Sequence, residues 1–405
     1  MIPFWLEKAF YRIWIFLLKI GTILLPFRNP ELFEGPGSSK ELCANLAKEG
    51  IDKVMIVTDE GLVKVGIVQG IQDALDANGV KYVLFDGVIP DPTIELIERG
   101  LQVLKDNDCK AILAIGGGSS IDAAKAIAAR AKNPRKELVK MAGLFRVTWG
   151  MLPLYAIPTT AGTGSEVTIA SVVSDPDNQR KFAIMDFRLM PHKAALDGEL
   201  MTGLPAHITS ATGMDALTHA VEAYISNNAY WKTNKLAIEA TQLIMEYLPR
   251  AVANGSDLEA RQKMAEASHK AGAAFTEAGV GYVHAIAHNF GAYYHIPHGL
   301  ANAMVMPYVL DYSKPKCAKR LASLAEHCGM KTGNESDEEL ADKFIARIRE
   351  MNDSFGIPRK VDKLQPGDIP AIADAAIKEA RFTYAVPRYM DHATAEGLLR
   401  QMLPQ

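Results

Sequence analysis

Residues 30–200 alternate short apolar runs with longer segments in which apolar positions recur every three or four residues. The short runs are rich in Val, Ile and Leu, which is typical of buried strands, and the longer segments have the period of amphipathic helices. The pattern predicts strands at 53–57, 82–85, 111–115 and 154–157, and helices at 62–78, at 92–106 and from 121 onward. Alternation of this kind predicts a parallel sheet with helices on both faces and a ligand site at the carboxyl ends of its strands.

Beyond Pro205 long helical periods replace this alternation. The pattern predicts helices at 206–226, 231–254, 258–276, 283–294, 338–353 and 369–380. The expected fold is therefore α/β, with a Rossmann-like parallel-sheet domain at 30–203 and an all-helical domain at 204–405.

The first 28 residues are an apolar extension interrupted by a few polar side chains. No run in it reaches the ~18 uncharged residues that a membrane-spanning helix needs. The sequence around Pro26 also offers no small-residue signal-cleavage site. Two interpretations remain: a helix packed on the body or on a second subunit, or an amphipathic helix that contacts a membrane surface through residues 4–27.

A chain of 405 residues is long enough for two domains, and its formal net charge of −3 does not favour a nucleic-acid partner. The four cysteines are widely spread and form no CxxC pair; they are Cys43, Cys109, Cys317 and Cys328. This pattern is typical of a reduced cytoplasmic protein.

Residues 116–120 read GGGSS and lie between a predicted strand and a predicted helix. Glycines there allow close approach of a pyrophosphate, and we expect Ser119 or Ser120 to cap the helix whose N–H groups face that anion. The motif is neither GxGxxG nor a P-loop, so a simple tight turn is the alternative. Asp59, at the end of the first predicted strand, could accept the adenosine ribose hydroxyls of NAD, or it could cap the next helix.

Four of the ten histidines fall between positions 284 and 298. Asp215 and His219 are four residues apart in an apolar segment, so on a helix both side chains leave the same face. One carboxylate with several imidazoles suits Fe, Zn, Co or Mn. Spacing alone leaves open which of four histidines would bind the metal: His284, His288, His295 or His298.

The segments that carry these residues, GMDALTHAVEAY and VHAIAHNFGAYYHIPHG, resemble the signatures of the iron-containing (group III) alcohol dehydrogenases. The resemblance covers nearly all of 30–405 and implies an iron ion, with zinc as the alternative, held by Asp215, His219, His284 and His298. It places His288, which is not a ligand in the family, beside the reacting carbon, as a catalytic residue that relays the alcohol proton or orients the substrate. Structural support of the metal ligands is the alternative. His295 is interpreted as a pocket or surface histidine.

The same resemblance implies NAD as the cofactor and assigns it a set of contacts. These are Asp59, Gly117, Gly118, Ser119, Asp122, Thr159, Thr160, Thr163, Ser165 and Lys181. Phe275 aligns with a residue that narrows the family's alcohol pocket; otherwise it is a core residue. Two positions depart from the family pattern: Asp91 replaces the Asn of a Pro-Asn-Pro turn, and Gly198 replaces the Pro that usually follows the aspartate.

The expected function is reversible NAD(H)-linked oxidation of a primary alcohol to an aldehyde, in a homodimer or larger homo-oligomer. One alternative is a glycerol dehydrogenase-like polyol oxidoreductase on the same dehydroquinate synthase-like fold, with three metal ligands and usually zinc. A non-enzymatic alternative is a membrane-attached scaffold, but the intact set of metal and cofactor residues argues against it.

Overall fold

The computed structural model describes Glu7, residues 10–13, Ile15, residues 28–178 and residues 180–404. The prediction for the N-terminal extension therefore lies largely outside the described residues. Within the described part the chain forms nine strands: β1 (Glu31–Glu34), β2 (Lys53–Val57), β3 (Lys81–Phe85), β4 (Ala111–Gly116), β5 (Gly143–Leu144), β6 (Leu154–Pro158), β7 (Ala170–Asp175), β8 (Arg180–Met185) and β9 (Lys193–Leu196).

The described residues from 28 onward also form thirteen α-helices. They are α1 (Ser38–Lys48), α2 (Glu60–Lys64), α3 (Ile67–Ala77), α4 (Ile94–Asp106), α5 (Gly118–Lys132), α6 (Ala206–Ile225), α7 (Trp231–Ala253), α8 (Leu258–Ala278), α9 (Tyr282–Tyr294), α10 (His298–His327), α11 (Asp337–Ser354), α12 (Ile369–Thr383) and α13 (His392–Arg400). Among these residues, no helix is both long enough and apolar enough to cross a membrane.

Six strands form one sheet in the order β1-β9-β6-β4-β2-β3, and every neighbouring pair is parallel. Successive side chains of β2 enter two different cores: Val54 and Ile56 pack with residues of α1 and α3, whereas Met55 and Val57 pack with residues of α4 and α5. Helices therefore cover both faces, as alternation along a buried strand requires. The expected parallel-sheet domain is confirmed.

The strands β2, β4 and β6 are neighbours in this sheet. Because parallel strands all end at the same edge, the segments that follow them meet there. Those segments begin at Thr58, Gly117 and Thr159. Three of the segments that we expect to bind the cofactor therefore lie together at this edge.

A second, three-stranded sheet has the order β5-β8-β7, with β7 and β8 antiparallel. The sequence pattern did not predict it as a sheet, because β5 has only two residues and β7 and β8 are only partly buried. It matters for function because Lys181 lies on β8.

The described chain divides into two compact units. The first consists of residues 28–204 and 255–269. The second consists of residues 205–254 and 270–404, together with the described residues of the N-terminal extension. The first half of α8 thus packs with the sheet unit. There the Gln262 side chain accepts a hydrogen bond from the backbone of Gly198 and donates one to the carbonyl of Leu196, each at 2.9 Å. The regular elements among the described residues of the second unit are all helices, as expected.

Two helices differ from the sequence prediction. The expected helix at 62–78 is two helices, α2 and α3, separated at residues 65–66. The long helix α10 was not predicted, because it contains Pro307 and Pro315, residues that usually end a helix. Its backbone leaves the helical region at Cys317, so α10 is two helical segments joined by a kink.

Candidate metal centre and cofactor-binding loops

Three helices of the second unit bring Asp215, His219, His284 and His298 together. Asp215 and His219 lie one turn apart on the buried part of α6, while α9 carries His284 and α10 begins at His298. One ligand atom from each residue lies within 4.8 Å of those of the other three. The four residues that the resemblance singles out therefore converge on one point.

The geometry of His284 fits a cation. Its ring is buried, and Nε2 has no hydrogen-bond partner and lies 4.0 Å from Oδ1 of Asp215. Burial, reinforced by the neighbouring imidazoles, lowers the pKa of His284 well below its usual value. The ring is therefore neutral, and a buried lone pair faces the cluster, which is what a metal ligand requires.

Glu222 holds the other side of the His284 ring. Its Oε2 lies 2.7 Å from Nδ1 of His284, and the carboxylate also accepts hydrogen bonds from the backbone N–H groups of Gly281 and Val283 at 2.8 Å. A Cβ at Gly281 would lie 2.7 Å from Oε1 of Glu222, so only glycine leaves room for the carboxylate. Burial raises the pKa of Glu222 to about 7 despite these hydrogen bonds.

Sequence reasoning missed Glu222. The available signal was its spacing: it follows Asp215 by seven residues, so it lies on the same face of α6. A carboxylate that fixes the tautomer of a metal-binding histidine is a common companion of such sites.

Asn302 holds the Asp215 carboxylate from α10. Its Nδ2 donates a hydrogen bond to Oδ1 of Asp215 at 2.7 Å and lies 3.1 Å from Nε2 of His298, one turn earlier on the same helix. Nε2 of His298 is itself 3.4 Å from Oδ1 of Asp215. Asn302 is fully buried, so the relative positions of these two candidate ligands are fixed from inside the unit.

The ring of Phe275 stacks on His219 at 4.2 Å between centroids, and His219 in turn stacks on His284 at 4.6 Å. Phe275 is only partly buried. It therefore contacts the cluster directly while keeping part of its surface accessible, and its assignment to the alcohol pocket stays a prediction.

His288 and His295 lie outside the group of four. His288 is 43% exposed, and its ring stacks on His298 with centroids 5.3 Å apart. His295 is exposed and ends α9 in the left-handed backbone region, with φ of 55°. His288 thus borders the cluster, whereas His295 is a surface histidine at a helix end.

The GGGSS turn touches the threonine-rich loop after β6. A Cβ added at Gly118 would lie 2.8 Å from Cγ2 of Thr163, and one added at Gly117 would lie 3.3 Å from Oγ1 of Thr160. The expectation that Ser119 or Ser120 caps the helix was wrong: α5 begins at Gly118 with Gly117 as its N-cap, so both serines lie inside the first turn. Gly117 has no side chain, so the first N–H groups of α5 receive no side-chain cap from it.

Asp59 caps α2, since its Oδ1 accepts a hydrogen bond from the backbone of Leu62 at 3.1 Å. The expected helix cap is therefore confirmed. The half-buried place of Asp59 at the end of β2 is also where a ribose-binding carboxylate is expected, and that assignment stays a prediction.

Asp122 and Ser165 lie in a buried polar network. Ser165 donates to Oδ1 of Asp122 at 2.6 Å, and the backbone of Val172 donates to Oδ2 at 2.9 Å. Burial raises the pKa of Asp122. Both carboxylate oxygens are engaged by the protein itself, which indicates that these residues hold the threonine-rich loop in place.

Lys125, which the sequence reasoning did not single out, is the fully buried cation of this network. Its ammonium donates to the carbonyl and hydroxyl oxygens of Thr168 at 2.8 and 2.9 Å, and to the carbonyl of Ala170 at 2.8 Å. Burial lowers the pKa of Lys125 to about 8, and the nearby Asp122 and Glu166 carboxylates oppose that shift.

Lys181 forms an ion pair with Asp91, with Nζ 2.7 Å from Oδ2. Both side chains are largely exposed, and the backbone of Asp91 lies in the left-handed region, with φ of 57°. The aspartate that replaces the family's asparagine thus gives the candidate ribose-binding lysine an anionic neighbour.

Comparison with known proteins agrees with this geometry. Residues 29–198 match the family model "Iron-containing alcohol dehydrogenase", and residues 209–403 match "Fe-containing alcohol dehydrogenase family, C-terminal". The lactaldehyde reductase of Escherichia coli K12 is 37% identical over 354 residues, which is 87% of this chain and 92% of that protein. The NAD-dependent methanol dehydrogenase of Bacillus methanolicus is 40% identical over 332 residues, 82% of this chain and 87% of that protein.

The crystal structure of a 1,3-propanediol oxidoreductase superposes with a TM-score of 0.90 at 38% identity, covering 94% of this chain and all of the other. Both units thus match one family over nearly their whole length, in fold and in sequence. The chain therefore belongs to the iron-containing alcohol dehydrogenase family and is an oxidoreductase.

Proposed function

We propose that the protein interconverts small primary alcohols or diols and their aldehydes with NAD(H), at one divalent metal ion held by Asp215, His219, His284 and His298. The observation that carries the proposal is the convergence of one ligand atom from each of these four residues. In this group the buried Nε2 of His284 has no hydrogen-bond partner. The named substrates of the relatives, lactaldehyde, methanol and 1,3-propanediol, support a short oxygenated substrate.

The donor set suits a borderline divalent ion, and we propose iron, with zinc as the competing occupant because zinc binds such ligands more tightly. When bound, the metal supplies Lewis-acid chemistry that lowers the pKa of the substrate hydroxyl. Asp215 and an ionised Glu222 together offset the charge of a divalent ion, while three neutral imidazoles add none. We propose that Glu222 holds Nε2 of His284 toward the ion and that Asn302 holds the Asp215 carboxylate.

For the cofactor, we propose that the turn at Gly117, Gly118 and Ser119 binds the pyrophosphate at the start of α5, where backbone N–H groups and the helix dipole favour an anion. Thr159, Thr160 and Thr163 line the same edge of the sheet and would bind adenosine and phosphate groups. Asp122 and Ser165 would contribute indirectly, by holding the threonine-rich loop in place. Asp59 would accept the ribose hydroxyls next to adenine, and Lys181 would donate to the ribose next to nicotinamide.

His288 is the proposed acid–base residue. It borders the metal ligands and is exposed enough to exchange a proton with solvent. A histidine in that place can take up the alcohol proton during oxidation and return it during aldehyde reduction. Phe275, stacked on His219, would limit the size of the alcohol that fits beside the metal.

We further propose that the protein works in the cytoplasm as a homodimer or larger homo-oligomer. The four free cysteines support the cytoplasmic location, and the family membership supports the oligomer.

In the N-terminal extension, Tyr11 and Ile15 are buried, and Tyr11 packs edge-on against Phe382 with ring centroids 5.1 Å apart. Phe10 and Ile13 are exposed. This arrangement favours a helix packed on the body, and its exposed apolar side is where a membrane or a second subunit would bind.

Deletion of residues 1–28 tests that assignment. Light scattering and flotation with anionic lipid vesicles would be measured for the full and the shortened chain. An unchanged oligomeric state together with unchanged flotation would reject both roles of the extension.

The function itself is tested by following NADH absorbance with a panel of methanol, longer primary alcohols, 1,2- and 1,3-diols, glycerol and the matching aldehydes. We expect turnover of the primary alcohols and aldehydes by iron-loaded protein purified without oxygen, and none after chelation. A preference for glycerol over all primary alcohols would favour the polyol alternative. Absence of turnover in either direction would reject the proposal.

A further inference from the structure

Glu379 and Tyr384 form a hydrogen-bonded group with His288, and no sequence motif marks either of them. Nδ1 of His288 lies 2.7 Å from Oε1 of Glu379, which is on α12. The hydroxyl of Tyr384, just after the end of α12, donates to the same oxygen at 2.6 Å. One carboxylate oxygen therefore contacts both the histidine ring and the phenol.

These two contacts fix where the protons lie. A carboxylate oxygen has two lone pairs, and here one accepts from Tyr384 and the other faces Nδ1 of His288. Burial and the Glu379 carboxylate raise the pKa of Tyr384 well above its usual value, so the phenol keeps its proton and remains a donor. Because an ionised carboxylate can only accept hydrogen bonds, the proton of its contact with His288 lies on Nδ1. In the neutral ring this leaves the lone pair on Nε2.

The ring of His288 also contacts two other imidazoles. It stacks on His298 with an interplanar angle of 18°, and it meets His284 edge-on with centroids 5.9 Å apart. A contact to Glu379 on one side and two ring contacts on the other leave His288 little freedom to rotate. Its tautomer is therefore set by Glu379, which lies outside the proposed metal site, and its orientation by Glu379 together with two of the proposed metal ligands.

We propose that Glu379 is a positioning residue that keeps His288 in the Nδ1-protonated tautomer and offers Nε2 to the substrate hydroxyl, and that Tyr384 holds Glu379 in this role. The inference rests on the proposed function. In the oxidation direction the alcohol C–H bond gives its electron pair and hydrogen to NAD as hydride. The hydroxyl proton passes to Nε2 of His288, and the products are aldehyde, NADH and a protonated His288 that releases its proton to solvent.

The competing explanation is structural: the Glu379–His288 contact would merely join α9 to α12. The surface pair of His392 and Glu396 offers a matched control, because its Nδ1–Oε1 distance is 3.1 Å and it lies on α13. We would compare Glu379→Gln, Glu379→Asp and Tyr384→Phe with Glu396→Gln, all in full-length, metal-loaded protein.

Glu379→Gln should lower kcat by about 10–100-fold, the usual effect of losing a carboxylate that orients a functional histidine. The KM for NAD, the bound metal and the unfolding midpoint should stay at wild-type values. Tyr384→Phe should lower kcat by about 2–10-fold, as expected for one lost hydrogen bond, and Glu379→Asp should recover part of the Gln defect. Glu396→Gln should change none of these quantities.

Nitrogen-15 NMR of histidine-labelled, zinc-loaded protein gives a readout that does not depend on turnover, with the His288 signals identified by their loss in His288→Gln. We expect a single Nδ1–H tautomer in wild type and a mixture of tautomers in Glu379→Gln. An unchanged tautomer with unchanged kcat would overturn the inference. So would a loss of kcat that merely follows loss of metal or of folded protein. If wild type turns over no alcohol or aldehyde, the proposed function fails, and the NMR comparison still decides the role of Glu379.

Discussion

The carboxylate of Glu222 lies 2.7 Å from Nδ1 of His284, on the side of the ring opposite to the unpartnered Nε2. The same carboxylate caps the first turn of α9 through the N–H groups of Gly281 and Val283. The start of α9 and the orientation of one candidate metal ligand therefore depend on a single side chain of α6.

Glu222→Gln should weaken metal binding by about 10–100-fold, because the amide cannot replace a carboxylate that accepts three N–H donors. Chelator competition against iron or zinc would measure the affinity. Glu166→Gln is the matched control: Glu166 is also buried and lies 3.1 Å from Nδ1 of a histidine, His269, but in the sheet unit. Equal losses of metal affinity in the two variants would contradict the role of Glu222.

His298→Ala should abolish turnover and reduce bound metal to a small fraction of the wild-type content, since it removes one of four ligands. His295→Asn, three residues earlier, should leave both unchanged, because His295 is exposed and asparagine tolerates its left-handed backbone. Metal analysis and NADH absorbance would be measured on both variants. Retention of metal and rate by His298→Ala would remove this residue from the ligand set.

Gly118→Ala should raise the KM for NAD at least several-fold while leaving bound metal unchanged. The added Cβ would come within 2.8 Å of Cγ2 of Thr163 and push apart the two loops that we assign to the cofactor. The second variant Thr163→Ser removes that methyl group and should partly restore binding in the double mutant. Gly70→Ala, on α3 with open space around it, is the control and should leave NAD binding unchanged. An unaffected KM in Gly118→Ala would show that the turn does not approach the cofactor.

Asp59→Asn should relax the preference for NAD over NADP without loss of stability, because asparagine caps α2 as well as aspartate does. Removing a negative charge near a 2′-phosphate is worth about 1 kcal/mol or more at ~4 Å, which corresponds to a roughly five-fold or larger change in the ratio of kcat/KM values. Asp59→Gly should show the same change in preference with a lower unfolding midpoint. An unaltered preference in both variants would reduce Asp59 to a helix cap.

Much of the fold could be predicted because its periodicity is strong. The strands β2, β3, β4 and β6 are continuous apolar runs, and α7 or α11 have clear helical periods that need no tertiary information. The small sheet of β5, β7 and β8 was not predicted because β5 has only two residues, and β7 and β8 are partly buried strands whose pairing the sequence does not display. The helix α10 was not predicted because it contains Pro307 and Pro315, and the local conformational preference of proline usually ends a helix.

The site was less predictable from the residues alone. Spacing identified Asp215 and His219 but left four histidines open, and only the family resemblance selected His284 and His298. Glu379 lies 91 positions from His288, so no local pattern could join them. Lys125 was hidden for a different reason: a lysine in an alanine-rich helix is expected at the surface, and only the fold shows that it is buried.

The central claim is that one metal ion is bound by four side chains of the helical unit. A crystal structure of anaerobically purified, iron-loaded protein, with anomalous diffraction collected at the iron absorption edge, tests it most directly. We predict a single strong anomalous peak with Oδ of Asp215 and ring nitrogens of His219, His284 and His298 at about 2.0–2.2 Å. A peak bound by a different set of residues, or no peak near His284 in protein that retains its metal, would contradict the account.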